Sequence, residues 1–354
     1  MKIGILTHQY INNYGAFLQA YALHQAVSKL FPEDEVQIID YVNIKHFIIN
    51  TGGWFRYYKN REDFACWVQK TKLPGTFGRA RKNHMLLSKT VFNAKQINAL
   101  KFDCIIVGSD EVWNFKDTKG NAPLKFGEGL DCKNLIAYAP SVGKTDPNED
   151  LPDYVVNGIK KFKALSARDD LTFELGKKIS GVEPTRVLDP TFLGEFPKAD
   201  LKVSKKPYIM FYYCEKLPAE VLDQIFEYAA AHDLAVYGAG ECDKRYTDIT
   251  VNLTPFEWVE MFRNAEFVFT GTFHGAVFSI LNRRQFKVYL TNESRIKKVG
   301  ALLKELGIAN REMATGYKFD LKEQKNEINY DDVYKVIDVK REESKNYLKT
   351  AIMQ

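Results

Sequence analysis

Short apolar runs alternate with amphipathic stretches along most of the chain. Lys2 to Leu6 is a compact apolar run that predicts a buried strand. After a polar loop, Ala16 to Leu30 places Phe17, Ala20, Tyr21, His24 and Val27 at spacings of three and four, the period of a helix. Asn12 or Asn13 stands where a helix cap is expected, and Pro32 ends the helix. Glu35 to Tyr41, Phe102 to Val107, Asn134 to Ala139, Leu165 to Ala167 and Thr185 to Leu188 read as further strands. Tyr154 to Lys163 and Thr172 to Ile179 read as helices between them. The charged, proline-containing stretch Gly194 to Lys206 predicts a linker.

A second strand–helix series begins at Pro207. Tyr208 to Tyr213 and Leu234 to Tyr237 are predicted strands, and Pro218 to Ala231 is a predicted helix. Thr254-Pro255-Phe256-Glu257 has the form of a capping box opening a helix that runs to Arg263. Phe267 to Phe269 reads as a buried strand and Thr272 to Gly275 as a tight connection. Ala276 to Leu281 is then a short apolar helix, Gln285 to Leu290 a strand, and Thr291 to Arg295 a loop. Ile296 to Leu306 and Tyr330 to Ile352 read as amphipathic helices. Alternating strands and helices in two series predict an α/β protein with two Rossmann-like, doubly wound domains in a GT-B-like layout, facing a central cleft. The expected boundaries are 1–195, 196–330, and a terminal helix at 331–354 that crosses back to the first domain.

Polar clusters recur at the ends of apolar strands. The loops after Lys2–Leu6, Phe102–Val107, Asn134–Ala139 and Leu165–Ala167 are expected to line one edge of one sheet, where open α/β sheets bind ligands. His274 stands at a strand-to-helix turn, a position that suits an anion. Read from position alone, it is either an anion or proton-transfer residue or one that caps and packs. No GxGxxG accompanies the first strand, so dinucleotide binding is not supported.

Charge changes one part of this picture. Residues 45–89 hold ten Lys or Arg against two acids, more than the net +5 of the whole chain, with Trp54, Phe55, Tyr57, Tyr58, Phe64 and Trp67 interleaved. A basic, aromatic insertion at 45–95 suits an anionic acceptor or peripheral contact with the inner membrane; alternatively, it is a solvated insertion packed on the first domain. No nucleic-acid recognition motif is present. The five cysteines are scattered without a CxxC, a usage that predicts reduced thiols, no zinc site and a cytoplasmic protein. No apolar run approaches the roughly 20 residues that span a bilayer.

Six segments in order, NNYGAFLQAYAL, FDCIIVGSDEVWN, IAYAPSVG, LSARDD, VLDPTFL and FRNAEFVFTGTFHGAVFSILNRRQF, resemble the polysaccharide pyruvyl transferase family over nearly the whole chain. The resemblance implies transfer of a pyruvyl unit from phosphoenolpyruvate to two hydroxyls of a glycan or its lipid-linked precursor, giving a ketal. It implies no metal and no cofactor beyond phosphoenolpyruvate as co-substrate. It makes His274 the general acid and Arg168 of SARDD a ligand of the donor's anionic groups. Some members carry an Arg two residues before the histidine; Thr272 stands there, and Arg295 is the candidate substitute. Thr272 and Gly275 are expected at the donor, and Asn13, Tyr14, Gly15, Ser109, Asp110 and Trp113 on the acceptor side. His8 is a further candidate base, read more readily as structural. The alternative on the same fold is a glycosyltransferase using a nucleotide sugar, with Glu241 and Glu257 as the available acids.

Overall fold

A computed structural model of the chain describes residues 1–58, 63–203, 206–214, 216–291, 293–313, 316–320 and 327–354, with the backbone alone at residue 294. Lys59, Arg61 and Glu62 of the basic stretch and Asn292 of the expected loop lie outside the described residues. The chain divides into two units. The first comprises Met1–Gly53, Gly78–Glu195 and Asp338–Gln354, and the second Trp54–Phe77 and Phe196–Ile337.

In the first unit, β1 (Lys2–Leu6), β2 (Glu35–Ile38), β3 (Cys104–Val107) and β4 (Asn134–Ala137) form a parallel sheet in the order β2-β1-β3-β4. Ile3 pairs with both Val36 and Cys104, so β1 is central and wholly hydrogen-bonded. Apolar residues run through β3 without alternation because both faces are covered. From β1 the chain steps to one side to form β2, then returns to the other side as β3. That reversal opens a crevice at the carboxyl ends of β1 and β3. The expectation that Leu165–Ala167 belongs to this sheet is corrected. Ser166–Ala167 (β5) pairs with Thr185–Arg186 (β6) in a separate two-stranded sheet, and a single bridge from Ile136 to Ala164 links this region to β4.

In the second unit, β7 (Tyr208–Tyr212), β8 (Ala235–Gly238), β9 (Phe267–Thr270), β10 (Gln285–Tyr289) and β11 (Glu312–Met313) form a parallel sheet in the order β11-β10-β9-β7-β8. The reversal here falls between β7 and β9. The capping box forms as the sequence predicts, with Thr254 and Glu257 satisfying each other's backbone amides at the start of helix Pro255–Asn264. Both units are therefore Rossmann-like α/β assemblies.

The basic aromatic stretch departs from expectation. Trp54–Phe77 groups with the second unit, not the first. Cys66 of helix Phe64–Lys70 is joined to Cys242 by a disulfide, with Cα atoms 6.2 Å apart. Thr76 Oγ1 also donates to Asn252 Oδ1 at 2.9 Å. The reading of uniformly reduced cysteines gives way here, because partners 176 residues apart leave no spacing signal. The terminal helix Tyr330–Ile352 starts among residues of the second unit and ends among those of the first. Near its start, Tyr334 OH donates to Leu281 O at 3.0 Å. In its last turns, Tyr347 OH donates to Ala137 O at 2.7 Å, and Asn134 Nδ2 donates to the carbonyls of Ala351 and Ile352.

Candidate active site

The crevice of the second unit is built around a helix start. β9 ends at Thr270, and Thr272 takes extended backbone angles as the N-cap of helix Phe273–Leu281. Its hydroxyl accepts from the Gly275 amide at 3.0 Å. The helix thus begins three residues before the expected Ala276, and His274 occupies its second position instead of a connecting turn. A Cβ on Gly275 would overlap Thr270 Oγ1, which donates to Tyr212 O at 2.8 Å. A Cβ on Gly271 would overlap the Tyr213 carbonyl and lie 3.0 Å from that of Tyr289. Glycine at 271 is what lets the ends of β7, β9 and β10 converge. His274 is half-buried, edge-on to Phe273 at 5.5 Å, and lies at the positive end of the helix dipole.

Arg295 reaches the same place. It lies in the first turn of helix Glu293–Glu305, where a loop was expected, and its residue is exposed. Its Nη1 donates to the Gly271 carbonyl at 3.1 Å. Beside it, the Tyr213 amide donates to Glu241, and burial pushes the Cys214 thiol upward in pKa. Thr272 and Gly275, expected at the donor, are first of all partners of each other. The Thr272 hydroxyl and the Gly275 amide satisfy each other, so these two residues shape the turn that carries His274.

The crevice of the first unit has different contents. Ser109 Oγ donates to Gln19 Oε1 at 2.6 Å, Gln19 Nε2 to Thr7 Oγ1 at 2.9 Å, and Thr7 Oγ1 to Ser109 O at 3.2 Å. All three side chains are fully buried. Arg168 lies between two carboxylates, paired with Asp189 and, at 3.1 Å, with Asp110 Oδ1. Its side chain is 6% exposed and that of Asp189 is 0% exposed. Burial alone would lower the Arg168 pKa, but Asp189 and Asp110 outweigh it and raise the pKa above its ordinary value. Arg168 is therefore a compensated charge; an incoming anion would have to displace Asp110, the more exposed partner at 21%.

Lys125 and His8 complete this crevice. Lys125 is fully buried, with Nζ 2.9 Å from His8 Nδ1. Burial, reinforced by the Lys125 charge, lowers the His8 pKa to about 3, so the ring is neutral and Nδ1 accepts from the lysine. Burial lowers the Lys125 pKa to about 7, against the pull of Asp117 and Asp110. Tyr10 OH is hydrogen-bonded to His46 Nδ1 at 2.9 Å nearby.

The acceptor-side expectations divide. Trp113 is corrected to a core residue: it is 1% exposed, stacks on Phe126 and donates from Nε1 to Lys125 O at 2.9 Å. Ser109 is likewise corrected to a member of the buried network, and Asp110 is engaged by Arg168. Asn13 is exposed, but its side chain caps helix Tyr14–Leu30 through the Ala16 amide at 3.1 Å. Tyr14 and Gly15 are buried. Sequence reasoning missed Lys125, Gln19 and the pairing role of Asp189. Lys125 sits in the short PLKF turn with no periodic pattern to mark it. Arg81 was also missed: it donates to Asn12 Oδ1 at 3.2 Å in the loop after β1.

Among the described residues no group of three or more His, Cys, Asp or Glu is arranged to hold a metal ion. Among them, too, no helix is long and apolar enough to cross a membrane.

Comparison with known proteins adds a family. The family model described as polysaccharide pyruvyl transferase matches residues 13–290. No curated protein sequence matches significantly. Among solved structures, the chain is similar to the glycosyltransferase SnogD from Streptomyces nogalater, at 13% identity and a TM-score of 0.44, covering 99% of this chain and 97% of that one. It is also similar to S. aureus MnaA with UDP, at 11% identity and 0.46, covering 94% and 86%. A third is the E. coli heptosyltransferase WaaC with ADP, at 10% and 0.38, covering 88% and 100%. None of these carries a ligand or a reaction over to this chain.

Proposed function

The chain belongs to the polysaccharide pyruvyl transferase family, and from that membership we propose that it moves a pyruvyl group from phosphoenolpyruvate to two hydroxyls of a sugar in a polysaccharide or its lipid-linked precursor. The observation that carries this reading is the second unit's crevice. There His274 stands at a helix start directly beyond β9, with the Arg295 guanidinium on the preceding Gly271 carbonyl. A proton donor and a cation on one turn are what an enol phosphate requires.

In the proposed cycle, imidazolium at His274 delivers a proton to the methylene carbon of phosphoenolpyruvate. One sugar hydroxyl adds to the adjacent carbon and gives up its proton. The second hydroxyl then displaces phosphate at that carbon, also losing its proton, and the ketal closes. The helix dipole disfavours imidazolium, but the donor's phosphate carries a full opposite charge at similar distance and outweighs it. Arg295 holds the carboxylate or phosphate through its planar fork. The cycle as drawn needs no metal, because its developing charges are met by these cations.

A nucleotide-sugar donor is the competing reading. The acids available to it already have partners: Glu257 closes the capping box, and Glu241 takes the Tyr213 amide. The test is release of inorganic phosphate from phosphoenolpyruvate in the presence of sugar acceptors, paired with calorimetry. Absence of any phosphoenolpyruvate binding at millimolar donor, or tighter binding of a nucleoside diphosphate, would sink the proposal.

A further inference from the structure

The segment Trp54–Phe77 holds a cluster of aromatic rings that the reaction does not use. Phe55, Tyr57, Tyr58 and Phe64 are 52%, 39%, 43% and 62% exposed. Tyr57 and Phe64 each lean on Trp67, with ring centroids 5.4 Å apart, and the Trp67 indole donates to Phe55 O at 3.2 Å. Lys70 Nζ lies 5.3 Å from the Tyr58 ring centroid and donates to Arg56 O. The Cys66–Cys242 disulfide fixes this helix, one residue before Trp67, to the rest of the second unit. Large rings held at the surface by a covalent clamp form a platform, not a loosely packed insertion.

The charges around the rings say what the platform fits. Among the described residues of the segment its cations are Arg56, Lys70 and Lys72. Among the described residues of this segment the carboxylate is Asp63, and its Oδ1 caps helix Phe64–Lys70 through the Ala65 amide at 2.8 Å. A neutral sugar stacking on these rings would gain little from such a setting. Anionic lipid headgroups would pair with the cations while the amphipathic rings entered the headgroup layer. In sequence the segment follows helix Ile44–Gly53, where Ile44, Phe47 and Ile48 are also exposed, at the spacing of one helical face.

We propose that the aromatic platform at Phe55, Tyr57, Tyr58 and Phe64 docks the protein onto an anionic lipid bilayer. The docking does not depend on the reaction proposed above. The test is flotation of the full chain with phosphatidylcholine vesicles, with and without phosphatidylglycerol. Anionic vesicles should bind about tenfold more tightly than neutral ones, with roughly a tenfold loss at about 1 M salt, where the screening length is about 3 Å. Phe64→Ser and Lys70→Glu should each weaken binding by about fivefold to tenfold, with melting temperature and phosphate release on a soluble acceptor unchanged. If Phe64→Ser melts early, Lys70→Glu alone decides. Equal binding to both vesicle types, variants that bind like the parent, or displacement by a soluble glycan would each overturn the proposal. Vesicle binding without any phosphate release would sink the proposed reaction and leave the docking standing.

Discussion

In the first unit the crevice between β1 and β3 is filled by the protein's own polar groups. In the second, the crevice between β7 and β9 presents a half-buried His274 and an exposed Arg295. Topology is the same in kind: a parallel sheet reverses its strand order, and the strand ends part. The polar groups of the first crevice are compensated within it. Arg168 has Asp189 and Asp110, Ser109 has Gln19 and Thr7, and Lys125 has His8. A polar strand end is thus no measure of a ligand site by itself. What counts is whether the groups there are already spent on one another.

Four changes would break or sharpen that contrast. The largest effect is expected at His274: replacement by Gln should cut phosphate release by about three orders of magnitude with donor binding retained, the range of a lost general acid. Steady-state kinetics with calorimetry checks it, and a variant with near-normal turnover would move the chemistry elsewhere. Next, Arg168→Met should cost about 3–5 kcal/mol of folding stability, because it strands the buried Asp189 carboxylate. Chemical denaturation reads this. If stability holds and donor affinity alone falls, Arg168 is a ligand and the first crevice is less closed than its contacts indicate.

Arg295→Ala should raise the donor KM about tenfold to a hundredfold with little change in melting, as expected for one lost charged hydrogen bond. An unchanged KM would leave the turn at His274 without its proposed cation. The smallest effect is the pH dependence of Lys125. Its pKa is lowered to about 7 in the folded state, so above that pH the unfolded chain binds more protons. Stability therefore rises with pH there, on the order of 1–2 kcal/mol between pH 7 and 9, and Lys125→Met should abolish the rise. Urea midpoints at the two pH values decide it. His8 has the same sign at lower pH, its pKa being lowered to about 3.

Much of the scaffold was legible because it rests on local rules. β1, the capping box at Thr254 and Glu257, and the helix Tyr330–Ile352 sit where periodicity and capping residues put them. The start of the His274 helix was missed because Thr272 caps it without the Glu or Gln that completes a capping box. The helices Ile44–Gly53 and Leu73–His84 were not foreseen: the apolar face of the first is exposed, and the buried stripe Leu73, Phe77 and Ala80 of the second is interrupted by Pro74, Gly75 and Gly78. The positions of His274 and Arg295, each just beyond a strand of one sheet, were legible. The site was illegible at Arg168, whose environment is set by Asp110 and Asp189 from 58 and 21 residues away. The Cys66–Cys242 pairing was hidden for the same reason: long-range partners are chosen by the finished fold.

The terminal helix has a consequence for the order of events during synthesis. Strand β4 lies early in the chain, yet the Asn134 amide finds its acceptors at Ala351 and Ile352, and the Leu188 amide donates to Ser344 Oγ. A ribosome making this chain emits nearly all of the second unit before the first can close its last contacts. The N-terminal unit therefore cannot complete these contacts before the rest of the chain is made. The first unit must wait, partly assembled, for residues translated more than 200 positions later.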